Sequence, residues 1–115
     1  MSQYLLLLHG SNGTSTDMSP EQLQHMLQRY AAWAGALHQQ GRLRGGEKLR
    51  DDGGRGLRAE RGEIVVDGPF VETKETIGGY FVVEAADYAE AIEIARGCPA
   101  LLDGGSVELR EIEPM

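Results

Sequence analysis

Asp67 to Tyr80 reads DGPFVETKETIGGY and gathers Asp67, Glu72, Lys74, Glu75 and Tyr80 into fourteen residues. If residues 70–75 are extended, Phe70, Glu72 and Lys74 share one face, and Val71, Thr73 and Glu75 share the other. A carboxylate and an ammonium two residues apart can pair with each other or frame a small polar ligand. A solvated ion pair adds little to stability, so pairing alone is a weak reason for the motif. One reading has Asp67, Glu72, Lys74, Glu75 and Tyr80 lining a cleft at a sheet edge. A second is mechanical. Pro69 fixes its own φ and pushes Gly68 toward extended or turn geometry. Asp67 can accept from backbone amides two residues on, and Phe70 can plug an apolar site, which together make a rigid corner. In the third reading the segment crosses to a second subunit.

Three more residues could join such a site. His9 directly follows an apolar run, and a histidine near neutral pKa can act as acid or base; a strand-end histidine can equally make a structural hydrogen bond. Glu47 follows Gly45-Gly46, whose missing side chains could leave room for a ligand. The same glutamate could serve as an edge charge that discourages aggregation. Trp33 lies at the margin of a helical stripe and suits core packing or ligand stacking. His25, His38 and His9 do not have metal-ligand spacing, and Cys98 has no nearby Cys or His partner, so no metal is expected. Cys98 follows a helix C-terminus, which raises a thiol pKa, so it reads as inert. The glycine runs GSNG and DDGGRG lack Gly-Lys-Ser/Thr and do not open a helix in nucleotide-binding fashion.

The elements that must position these residues are legible. Tyr4 to Leu8 is a short unbroken apolar run, suited to a central strand, and 10–17 is loop by composition. Ser19-Pro20-Glu21-Gln22 combines a cap, a proline at the first helical position and a capping-box partner. Leu23, Met26, Leu27, Tyr30, Ala34 and Leu37 then form the stripe of an amphipathic helix over 19–40, with Gly41 at C′. Residues 42–50 read as a strand interrupted by Gly45-Gly46, which suggests a bulge or a close backbone approach. Residues 51–54 read as a turn. Leu57–Glu60 and Glu63–Val66 read as a hairpin with Arg61-Gly62 at its tip, and Tyr80–Val83 as a strand. Asp87 caps a second helix, with Glu90 three residues on and Tyr88, Ala91, Ile92 and Ala95 as its buried stripe; Gly97 and Pro99 end it. Ser106–Ile112 reads as the last strand. This β-α-β-(ββ)-β-α-β order is an α+β, ferredoxin-like split βαβ with an inserted hairpin.

At 115 residues the chain is the size of one domain, here 1–115. Its formal net charge of -7 opposes binding to nucleic acid or an anionic membrane. A single cysteine forms no internal disulfide. The apolar stretch near the N-terminus, Tyr4 to Leu8, is too short for a signal segment or a membrane span. A cytoplasmic location follows by default.

The Asp67-Gly68-Pro69-Phe70, Glu72-Thr73-Lys74-Glu75 and Gly78-Gly79-Tyr80 blocks resemble the signature of the DGPF, or YCII-related, family. The flanks resemble it too: a leading LLL-x-G strand, a Ser-Pro-Glu helix start, Gly41 to Leu49, Cys98-Pro99, and Gly104 to Arg110. The resemblance implies a ferredoxin-like domain that pairs through its sheet as a dimeric α/β barrel. It implies no settled reaction, although a link to alternative sigma-factor regulation is suggested by gene neighbours in the family. A more distant branch carries a helix His and a late Asp-Pro as a proposed catalytic pair, and one member of that branch removes chloride from a chlorinated aromatic. Here Tyr30 stands at the position of that His and Cys98-Pro99 replaces Asp-Pro, so the pair is not carried over.

The expectation is a homodimeric ligand-binding or regulatory module without metal or other cofactor. Its ligand residues would be Glu47, Asp67, Phe70, Glu72, Lys74, Glu75 and Tyr80. The alternative is an enzyme on a small aromatic substrate, with His9, Asp67 or Glu72 as acid or base at the dimer cleft. An enzyme needs a pocket where titratable groups converge, whereas a binding module needs only the pocket. A purely structural stitch would put Phe70 and Glu72 against the other chain.

Overall fold

A computed structural model of the chain describes residues 1–10, 19–50, 53–68 and 77–115. The apolar run forms β1 (Ser2–His9). Tyr4, Leu6 and Leu8 point to one face and are buried, while Leu5 and Leu7 on the other face are half-buried. An unbroken apolar run belongs here because β1 is central and has a strand on each side. The capping box forms as the sequence predicts. The Gln22 N–H donates to the Ser19 hydroxyl at 3.1 Å, and the Ser19 N–H donates to the Gln22 side-chain oxygen at 2.9 Å. Helix α1 runs Pro20–Gln39 and ends at Gly41, whose φ of 73° is the left-handed conformation that glycine adopts readily.

β2 (Leu43–Lys48) carries the expected irregularity, between Leu43 and Gly45. β3 (Gly56–Glu60) and β4 (Glu63–Asp67) form the hairpin. Arg61 and Gly62 at its tip both have positive φ, 52° and 82°, as a two-residue turn matched to strand twist requires. Of the turn read at 51–54, residues 51 and 52 lie outside the described residues. β5 (Ile77–Ala85) extends the predicted YFVV strand in both directions.

Helix α2 (Tyr88–Arg96) is capped by Asp87, which accepts from the Glu90 N–H at 2.9 Å. Its buried stripe differs from the one predicted. Ala91 and Ala95 are buried, but Tyr88 and Ile92 are exposed and Ile94 packs on the core instead. Alanines fill the contact between this nine-residue helix and the sheet. A single 3₁₀ turn over Pro99–Asp103, not foreseen from the sequence, then leads into β6 (Ser106–Glu111).

The main sheet has the order β2-β5-β1-β6, all antiparallel, and β3-β4 form a separate two-stranded arm. This is the ferredoxin-like split βαβ arrangement with the hairpin inserted between the second and third strands of the sheet. Both helices cover the same face. The core joins Tyr4, Leu6, Leu8, Val83 and Ala85 of the sheet to Leu37 of α1 and Ala91 and Ala95 of α2. Cys98 completes it at 1% exposure, and burial pushes its thiol pKa up.

Arg42, just after α1, donates to Glu90 at 2.5 Å, and Glu90 also accepts from the Ala86 N–H at 2.9 Å. Together these bonds hold the Glu90 carboxyl below its ordinary value of 4.5, the Arg42 bond contributing most. The carboxyl is therefore harder to protonate in the folded chain than in the unfolded one. The stability it contributes is fully present above 4.5 and is lost as pH falls through the lowered value. Glu90→Gln should lower the melting temperature at neutral pH and flatten the acid limb of a melting-temperature profile. An unchanged acid limb would contradict this linkage.

Candidate functional site

On the helix-facing side of the sheet, side chains stand in rows set by the strand register. One row is Leu6, Phe81 and Gly46, and the next is Leu8, Gly79 and Lys48. In the first row Phe81 occupies the space that a side chain at Gly46 would need, since a Cβ there would lie 2.4 Å from the ring. In the second row Gly79 supplies no side chain, so a gap opens between Leu8 and Lys48. The gap cannot be closed from Gly79, because a Cβ there would meet the Glu47 carbonyl oxygen at 2.9 Å.

The first half of α1 crosses above this gap and roofs a pocket of about 160 Å³. Met26, Leu27 and Tyr30 come from the helix and Leu8 from β1; Gly78, Gly79 and Phe81 come from β5, and Glu47 and Lys48 from β2. The Phe81 ring is fixed on two sides. Trp33 meets it edge to face, with centroids 4.9 Å apart, and Tyr30 lies nearly parallel to it at 6.4 Å. Trp33 is itself anchored, because its indole N–H donates to the Ile94 carbonyl at 3.2 Å and its ring packs over Gly97. It therefore braces the pocket wall from behind rather than stacking on a ligand.

The pocket is mostly apolar. At its edge stand the two β2 residues: Lys48, in the same row as Gly79, and Glu47, whose pairing with Tyr80 turns its side chain toward the other face of the sheet. Such walls suit a compact ring with one polar substituent. Among the described residues no group of three His, Cys, Asp or Glu side chains could hold a metal ion.

The predicted site residues are scattered. Phe70, Glu72, Lys74 and Glu75 lie outside the described residues. Glu47 and Tyr80 are directly opposite each other on β2 and β5, and Glu47 also reaches the pocket edge. The space beside Gly46 holds Phe81 rather than a ligand, a correction to the reason given for Glu47. His9 ends β1 with its Nε2 3.2 Å from a Glu108 carboxylate oxygen, beside β6. Asp67 ends the hairpin and is ion-paired with Arg58 of the same arm. Neither His9 nor Asp67 lines the pocket. Leu8, Met26, Leu27, Lys48 and Phe81 were not singled out as site residues by the sequence. A usable signal existed: two glycine pairs, Gly45-Gly46 and Gly78-Gly79, on strands that become neighbours. Tyr30 lines the pocket, whereas Cys98 is in the core.

The strand order, the two helices on one face and the pocket between helix and sheet define a ferredoxin-like α+β domain with a small cleft under its first helix. The chain belongs to the YCII-related domain family, whose model matches residues 3–115. It is 43% identical over 58 residues to an uncharacterized protein of Rhizobium meliloti (strain 1021). That match covers 49% of this chain and 47% of the relative, so the chain spans about half the length of the curated relative it matches. Among solved structures it is similar to 5-chloro-2-hydroxyhydroquinone dehydrochlorinase from Burkholderia phenoliruptrix AC1100, in complex with 2,5-dihydroxybenzoquinone. The TM-score is 0.46 and the identity 18%, over 96% of this chain and 95% of that one. At that distance no residue role or activity is carried across. No helix among the described residues is long and apolar enough to cross a membrane.

Proposed function

We propose that this chain is a ligand-binding module, regulatory rather than catalytic, whose site is the pocket beneath α1. One observation carries the reading: about 160 Å³ of mostly apolar space between Tyr30, Phe81, Leu8 and Met26. A dry cavity of about 150 Å³ holds a benzene ring, so the volume fits a single-ring compound. Lys48, at the edge in the same row as Gly79, would meet a polar substituent. The acid/base alternative needs at least two titratable groups converging on the ligand. Of its candidates, His9 is engaged by Glu108 and Asp67 by Arg58, away from the pocket wall. We also propose that two copies pair through the open face of the sheet, where Leu5, Leu7, Tyr80 and Val82 form an apolar centre.

Thermal-shift titration with single-ring phenols and aryl carboxylates tests the binding reading. A ligand at 100 times its Kd stabilises the native state by about 2.7 kcal/mol, a readily measured rise in melting temperature. Met26→Trp places an indole in the pocket and should abolish that rise. A panel that never shifts the wild type, or a shift that survives Met26→Trp, would refute the assignment.

A further inference from the structure

The β3-β4 arm has an apolar face with nothing in its own sheet to cover it. Its register pairs Leu57 with Val66 and Ala59 with Ile64, so these four side chains share one face. Leu57, Ile64 and Val66 are 68%, 64% and 59% exposed, and among the described residues the two strands pair only with each other. A two-stranded hairpin is at best marginally stable alone in water. A flat aliphatic face on such an arm needs a partner.

The area points the same way. A compact monomer of this mass exposes about 6,200 Å², whereas this chain exposes 7981 Å². The surplus of about 1,800 Å² exceeds the ~800 Å² per partner of a standard interface. The shape agrees, with extents of 46 × 43 × 18 Å and a radius of gyration of 15.9 Å against about 13 Å for a compact chain of this length. Charge favours a second copy over a charged partner. Residues 55–67 carry three arginines (Arg55, Arg58, Arg61) against Glu60, Glu63 and Asp67, so the arm is neutral while the rest of the chain carries the net -7. A neutral arm can approach an equally acidic copy without the repulsion that the two bodies would feel.

We infer that the Leu57, Ala59, Ile64 and Val66 face of the arm packs on a second copy of this chain, so that the dimer is clasped by its hairpins as well as by any sheet contact. This inference is independent of the ligand pocket.

Sedimentation velocity over a concentration series tests it on the full chain. The double variant Leu57→Asp, Ile64→Asp should weaken the dimer at least 30-fold. Val65→Asp, on the opposite face of the same arm, should change it less than threefold. Val82→Asp probes the sheet face separately. A melting temperature taken under monomeric conditions checks that each variant keeps the body folded. A wild type that is monomeric at 100 times the protein concentration of a routine measurement overturns the inference. So does a double variant that dimerises like the wild type, whether or not Val82→Asp dissociates, and so does equal weakening by Val65→Asp.

Discussion

Leu6→Ala should lower the stability of the fold by about 3–4 kcal/mol, a large share of the ~5–15 kcal/mol that holds a domain together. Leu6 is fully buried, at 0% exposure, in the central strand. It is flanked by Phe81 on one neighbouring strand and Leu109 on the other. Truncation removes apolar contact on both sides. The surrounding side chains are tied into a hydrogen-bonded sheet, which limits collapse into the vacated space. The melting temperature should fall by roughly 10–20 °C at matched protein concentration, as read by calorimetry or circular dichroism. A fall of only a few degrees would mean that the helices settle onto the sheet and refill the site.

The second large effect is expected at Gly46. A methyl group there would lie 2.4 Å from Cδ1 and 2.9 Å from Cε1 of Phe81, and 2.9 Å from the Tyr80 carbonyl oxygen. The ring has little freedom to retreat because Trp33 and Tyr30 stand against it. Overpacking of this kind typically costs about 1–3 kcal/mol, and Gly46→Ala should fall at the upper end. The displaced ring would move toward the pocket, so ligand-induced thermal shifts should shrink as well. Phe81→Leu makes room and should recover part of the loss in the double variant, giving a favourable coupling in a double-mutant cycle. Strict additivity of the two changes would show that the clash is relieved elsewhere. Gly45→Ala, with nothing within 4 Å of a Cβ, is the matched control and should be much milder.

Local signals in the chain were reliable where the physics is local. The Ser19–Gln22 capping box, the Gly41 terminus, the Arg61-Gly62 hairpin tip and the Asp87 cap all involve groups within a few residues of each other. Side-chain burial on α2 was less legible. The Tyr88 and Ile92 stripe fits the helical period, yet the turn of the helix over the sheet buries Ala91 and Ala95 instead. Periodicity states which residues share a face, not which part of that face meets the sheet.

The candidate site shows the same division. The density of charged residues drew attention to Asp67–Tyr80, but the pocket is assembled mainly from apolar side chains and from glycines that lack them. Its walls come from residues 8, 26, 30, 48, 79 and 81, which no sequence window contains. By itself the sequence determined the family, the order of the elements and their caps, because these depend on short-range spacing. Only the tertiary structure decided that Phe81 fills the space beside Gly46 while Gly79 leaves an opening beneath α1. That outcome depends on cross-strand register, which sets two glycines on adjacent strands one row apart, and on where a helix happens to cross them.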